Sequence, residues 1–182
     1  MAALPEVLPA GAVELRRWRV SHLDRVLSAV SSSLPELQRW LPWARAMPTA
    51  DEELVVLEEG EADFDADRQW AYLLFEVGSD EMVGGAGLHR RDGPGTVEIG
   101  YWVRTDRTGR GYATAAADAL TEAAFAHLAD VHQVEIRMDE ANLASAAIPP
   151  KLGYEPIGHR GRAVVVPAHT GRGLVWVRRR RH

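Results

Sequence analysis

The stretch TVEIGYWVRTDRTGRGYATAAADAL, Thr96 to Leu120, constrains this chain more than any other, because it joins a β-patterned run to an alanine-rich one through a loop holding two glycines and three arginines. Thr96–Val103 is rich in β-branched and aromatic residues, which mark a strand. From about Ala113 to Ala129 alanine, the strongest helix former, dominates. The leading amides of any helix lack internal partners, and the helix dipole adds partial positive charge there. Such a mouth suits an anion. A chain built around a strand, an open loop and a helix is neither all-α nor all-β.

The flanking segments extend that junction into a domain. Val13 to Trp18 reads as a first strand, after which Ser21 is placed to cap a helix with Leu23, Val26, Leu27 and Val30 at helical spacing. A second helix is expected from Ser33, with Glu36 completing a capping box and Pro35 in the first turn, and Pro42 stops it. Thr49 and Glu52 repeat the signature and open an acidic helix with Leu54, Val55 and Leu57 on its buried side. From Gln69 the period changes: QWAYLLFEV, MVGGAGL and TVEIGYWV, separated by turns, predict an antiparallel meander. After the alanine-rich helix come a strand at QVEIRM, a brief helical segment near Ser145 to Leu152, and strands around Glu155–His159 and Leu174–Arg178. A strand, helix and strand joined to a meander predict a mixed α/β domain.

With 182 residues, 46% of them hydrophobic, the chain suits one core and one domain over residues 1–182. Residues 1–12 are expected to be flexible and 179–182 to form a basic tail. There is no cysteine, so disulfides, thiolate metal sites and a cysteine nucleophile are excluded, and no metal is expected. The first residues lack a basic n-region and include two prolines and an early glutamate, unlike a secretion signal or a membrane span. A cytoplasmic protein is the expectation. The net charge of −5 is uneven: Asp51 to Asp67 carries nine carboxylates, whereas Arg178 to Arg181 is a run of arginines. The carboxylates read as a solvated face or as a lure for a cationic amine. A solvated tail explains the arginines, and the acidic balance argues against nucleic acid.

Three anion-binding patterns compete for TGRGYAT. A P-loop needs a lysine directly after its last glycine, and none is near. A dinucleotide fingerprint starts at Gly109 and Gly111 but meets Thr114 where its third glycine belongs, and the preceding strand ends a meander. The third pattern fits its whole context. TGRGYA resembles the Gln/Arg-x-x-Gly-x-Gly/Ala signature of the GNAT N-acetyltransferases, with Thr108 where Gln or Arg is usual. RWLPW near Trp40, GGAGL, EIGYWV, RGYAT, and the Asp139 to Tyr154 segment with D-x-x-N-x-x-S and KLGY follow in that family's order, most like its RimJ/RimL branch.

The resemblance implies a GNAT fold, with a mostly antiparallel sheet splayed at one parallel pair, and acetyl-coenzyme A as co-substrate. Its pyrophosphate would meet the amides of Gly109, Arg110, Gly111, Tyr112, Ala113 and Thr114, with Arg107 and Arg110 supplying charge beside Thr108. Backbone groups of Trp102 and Val103 would line the pantetheine arm, and Asn142 would hydrogen-bond it. Glu98 is the implied base, with Glu135 as substitute and a plain surface carboxylate as the other reading. The tyrosine that many relatives place seven residues after the asparagine falls here on Pro149. Ser145 is then the implied acid, or a group that stabilises the thiolate and caps a short helix. The implied acceptor is an amine, on a protein N-terminus as in ribosomal-protein acetylation or on a small molecule. A coenzyme-A-binding scaffold without turnover is the alternative. Many relatives pair through their sheets, so a homodimer is compatible with the resemblance.

Overall fold

The computed structural model describes residues 4–91 and 93–180. In chain order the elements are β1 (Val7–Ala10), β2 (Val13–Arg17), α1 (Leu23–Trp40), α2 (Ala50–Asp65), β3 (Gln69–Glu76), β4 (Met82–Arg90), β5 (Thr96–Val103), α3 (Tyr112–His127), β6 (Gln133–Asp139), α4 (Leu143–Ala146), β7 (Glu155–Gly161) and β8 (Arg172–Arg179). The strands form one sheet in the order β1-β2-β3-β4-β5-β6-β8-β7. Every pair is antiparallel except β5 with β6.

Helices cover both faces, so the central strands are apolar on both sides. On β3, Trp70, Tyr72 and Leu74 pack toward α3, while Leu73 and Phe75 pack toward α1 and α2. The same alternation on β5 sends Val97, Ile99, Tyr101 and Val103 to the α3 side and Trp102 to the other. Thr121 on α3 meets the Tyr154 hydroxyl at 2.6 Å, and Tyr154 is buried as a core residue.

Several expectations change. The N-terminal segment is not a flexible leader over its described part: β1 pairs with β2, and Leu4, Leu8 and Ala10 are buried. The arginines do not form a free tail either. Arg178 lies on β8 and meets Glu122 at 2.7 Å, and Arg180 donates to the carbonyls of Leu128 and Val131; Arg181 and His182 lie outside the described residues.

In place of two helices there is one, with Pro35 inside it. Val26, Ala29, Val30, Ser33 and Leu37 form one buried stripe that runs past the proline. Burial along that stripe outweighs the roughly 3 kcal/mol cost of a proline in a helix. Ser33 is buried, and its hydroxyl accepts the Thr105 amide at 3.0 Å instead of capping a helix. Ser21 caps nothing either; the residue ahead of α1 makes no side-chain cap.

The capping box of Thr49 and Glu52 forms as expected. The face of α2 differs, however: Leu57 is buried and Val55 is exposed, whereas Glu53 is only 9% exposed. That rotation brings a carboxylate inward.

Candidate active site

The pairing of β5 with β6 covers only Thr96–Ile99 against Gln133–Ile136. Beyond it, Gly100–Val103 stay paired with β4, and Arg137–Asp139 with β8. The sheet therefore opens between them, and the backbone of Gly100–Val103, including Trp102 and Val103, turns one edge to the gap. Peptide groups there are free to bond an extended amide-bearing chain.

The chain leaves β5 at this gap and enters the loop before α3. Gly111 is the residue ahead of the helix and, like Gly109, has positive φ, 80° and 77° respectively. Open space surrounds both α-carbons where a side chain would project. The first helical bond runs from the Ala115 amide to the Gly111 carbonyl, so Tyr112, Ala113 and Thr114 start the helix without such partners. This cradle of amides fits a diphosphate.

The loop side chains mostly hold its shape. The Thr108 hydroxyl donates to the Thr105 carbonyl at 3.0 Å. Arg107 reaches Glu81 at 2.6 Å and Asp106 at 2.9 Å, and Tyr112 donates to Glu76 at 2.7 Å. Arg107 is thus committed to carboxylates. Arg110, half-exposed and 3.5 Å from Glu76, is the arginine of the pair nearer to solvent.

Across the gap stands α4. Asn142 is its cap, accepting the Ser145 amide at 3.1 Å. Asp139 secures the same turn by accepting from the Ala141 amide and from Thr170. Burial works against its charge, yet those hydrogen bonds hold its carboxyl below the usual carboxylate range. The Ser145 hydroxyl lies 3.0 Å from the Tyr101 hydroxyl. Burial pushes Tyr101 up to about 12, only partly offset by its bond to Ser145. Tyr101 is therefore a neutral phenol able to donate a hydrogen bond across the gap.

On the α1 and α2 side of the sheet lies a chamber of about 790 Å3. Trp18, Trp43 and Trp102 wall it, the last two 6.0 Å apart between ring centres. Gly85 and Gly87 floor it, and a β-carbon at Gly85 would lie 2.7 Å from the Trp102 indole nitrogen, so that glycine lets the ring lie on the sheet. Glu53 and His89 are among its polar walls. Burial alone raises the Glu53 carboxyl, which has no hydrogen-bond or ion-pair partner among the described residues.

Glu98 is on the Trp102 side of β5 but does not line the chamber. Its carboxylate is held by Arg91 at 3.0 Å and approached by Arg137 at 3.6 Å. Glu135 is buried and bound to Arg137 at 2.6 Å. The gap, the loop and α4 thus bring together Trp102, Val103, Gly109–Thr114, Asn142 and Ser145, while Glu98, two residues before Gly100, is engaged by Arg91 and Arg137. Sequence reasoning missed Tyr101, Glu53 and His89. Only Tyr101 carried a signal, since the spacing of β5 puts it next to the backbone positions already singled out.

A sheet splayed at one parallel pair beside an open helix mouth defines a fold made to hold an extended cofactor against a second substrate. The family model of the acetyltransferase (GNAT) domain matches residues 12–155, and the chain belongs to that family. A putative ribosomal N-acetyltransferase, YdaF, of Bacillus subtilis (strain 168) is 28% identical over 145 residues, covering 78% of this chain and 77% of that protein. Among solved structures, RimL, a ribosomal L7/L12 alpha-N-protein acetyltransferase in complex with coenzyme A, superposes with a TM-score of 0.85 at 20% identity, over 96% of this chain and 98% of that one. RimJ of Mycobacterium smegmatis, in complex with a coenzyme A disulfide, does so with a TM-score of 0.82 at 23% identity, over 94% of this chain and 84% of that one. Among the described residues no helix is long and apolar enough to cross a membrane, and no three His, Asp or Glu side chains cluster as metal ligands.

Proposed function

We propose that this acetyltransferase moves the acetyl group of acetyl-coenzyme A to an amine seated in the tryptophan-walled chamber, with both substrates bound at once. The observation that carries the reading is the position of Gly100–Trp102: the same strand segment edges the open gap and the chamber. A thioester in the gap and an amine in the chamber would meet there, which is the orientation that acyl transfer requires.

The amides of Gly109 to Thr114, with Arg110, would hold the diphosphate. The backbone of Trp102 and Val103 and the amide of Asn142 would hold the arm. Acetyl-coenzyme A supplies an activated acyl group. A strand amide at the gap polarises its carbonyl. Ser145, supported by Tyr101, donates a hydrogen bond toward the departing sulfur. Serine alone is a modest acid, and the Tyr101 hydroxyl, 3.0 Å from its oxygen, would hold it in place.

For the acceptor, Glu53 and Glu52 place negative charge beside apolar walls, which favours a cationic amine carried on an apolar or peptide body. The exposed rim residues Trp43 and Val56 offer purchase to a peptide. A protein N-terminal α-amine is therefore the acceptor class to try first, as the relatives' names indicate, and small amines second. Release of thiol from acetyl-coenzyme A over N-terminal peptides and small amines tests this. Turnover with peptides is expected; calorimetric binding of coenzyme A with no turnover on any amine would leave a cofactor-binding scaffold instead.

A further inference from the structure

We propose that His89 is the general base for the acceptor, taking the ammonium proton at Nε2, and that Gln69 and Asp63 fix the imidazole tautomer that leaves this nitrogen bare. The assignment rests on the transferase reading above.

Three side chains form a directed series. Asp63 at the end of α2 is bound by Arg68 at 2.6 Å and accepts from the Gln69 amide nitrogen at 3.0 Å. A carboxylate offers only acceptors, so it is the NH2 of Gln69 that turns toward it. The Gln69 carbonyl oxygen must then face the other way, where it lies 2.6 Å from Nδ1 of His89. That oxygen can only accept. Nδ1 therefore carries the hydrogen, and the neutral ring presents a lone pair at Nε2.

Nε2 sits where a base is needed. It lies over Gly100, 3.6 Å from where a β-carbon would project. Gly100 is the first residue of β5 beyond the pairing with β6, and both it and His89 line the chamber. The bare nitrogen thus stands at the seam between the gap and the chamber. A β-carbon at position 100 would lie in van der Waals contact with this edge of the ring.

The charges around the ring agree with this role. Burial, and then Arg91, hold the His89 imidazole below its ordinary value, so it is neutral at physiological pH. Glu98, its cross-strand neighbour, spends its charge on Arg91 and Arg137. Asp63 is screened behind Gln69 by Arg68. From α2, Glu52 and Glu53 face the chamber, with Arg45 on the same lining, and α1 contributes only the apolar Val26 and Val30.

In the step assigned to His89, an N–H bond of the acceptor ammonium breaks and the proton passes to Nε2. The electron pair stays on the amine and forms the new bond to the acetyl carbonyl carbon, while the C–S bond breaks with its pair on sulfur. The nitrogen loses two protons in all: one leaves to solvent through His89, and the other ends on sulfur as thiol. Atoms and charge balance without a further reactant.

Nitrogen-15 NMR of the full chain without cofactor reads the tautomer directly. The expected result is a protonated Nδ1 and bare Nε2 in His89, with a titration midpoint below the ordinary imidazole value. Gln69→Glu should move that midpoint upward. With turnover established, His89→Gln should lower kcat about 100-fold and abolish the acid limb of the rate profile, with coenzyme A affinity by calorimetry changing by no more than about threefold. Unchanged calorimetry shows that the variant is folded. A protonated Nε2 in the wild type overturns the proposal whatever the activity, and so does an acid limb that survives His89→Gln but vanishes in Glu98→Gln. Absence of thiol release from the wild type with every amine overturns the transferase reading, and the base assignment falls with it.

Discussion

Glu53 lies on the first turn of α2, faces the chamber and is 9% exposed, with burial as the sole influence on its carboxyl. Its folded-state value is raised, so the protonated form favours folding: that stability is complete below the unfolded value and is lost as pH rises through the folded one. Glu53→Gln should therefore raise the melting temperature at neutral pH, by a few degrees at roughly 2–4 °C per kcal/mol for a chain of this size. The gain should vanish toward pH 4, which thermal melts at a series of pH values would show. The same substitution should raise KM for a cationic acceptor about tenfold, the loss of one charged hydrogen bond. A stability gain without a KM change would remove Glu53 from acceptor binding. At the same scale, Ser145→Ala and Tyr101→Phe should each lower kcat by up to about tenfold. Stopped-flow measurement should place that loss in the chemical step, with coenzyme A affinity little altered; the reverse pattern would make the pair a positioning device.

The loop and first turn of α3 act as a unit. The left-handed Gly111 sets the direction in which the helix amides point, and Ser33 of α1 fixes the loop's start through the Thr105 amide. Gly111→Ala imposes about 1–2 kcal/mol of backbone strain where it is most disruptive. Calorimetry should show coenzyme A affinity falling about tenfold while the acceptor chamber keeps its shape. Ser33→Ala should weaken the same binding by removing the acceptor that anchors the Thr105 amide, at a stability cost of about 0.5–1.5 kcal/mol. The elements themselves were legible where pattern and chemistry coincide. β5 falls on its expected residues, Thr96–Val103, and the Thr49–Glu52 capping box opens α2 as read. The reading failed where a local signal was overruled: Pro35 and the Ser33 box marked a helix start, but an apolar stripe continuing through them kept α1 whole.

At the scale of the whole molecule, eight strands among the described residues give the sheet two edges, β1 and β7, and one internal break. β1 covers apolar surface of β2 and α3, so removing residues 1–10 should destabilise the chain by several kcal/mol, on the order of 25 cal/mol for each Å2 uncovered. Denaturant melts would detect it; an unchanged midpoint would return that segment to the role of a loose leader. β1 was missed because four residues with a proline among them give too little pattern, and only the neighbouring strand makes them a strand. By itself the sequence determined the family, the meander, the glycine loop and the helix it feeds, since each is fixed by residues adjacent in the chain. Only the tertiary structure decided which side chains share a site. The rotation of α2 that buries Glu53, the bond between Tyr101 and Ser145, the arginines that occupy Glu98, and the orientation passed from Asp63 through Gln69 to His89 join residues distant in sequence, and such contacts exist only once the whole sheet and its helices have packed.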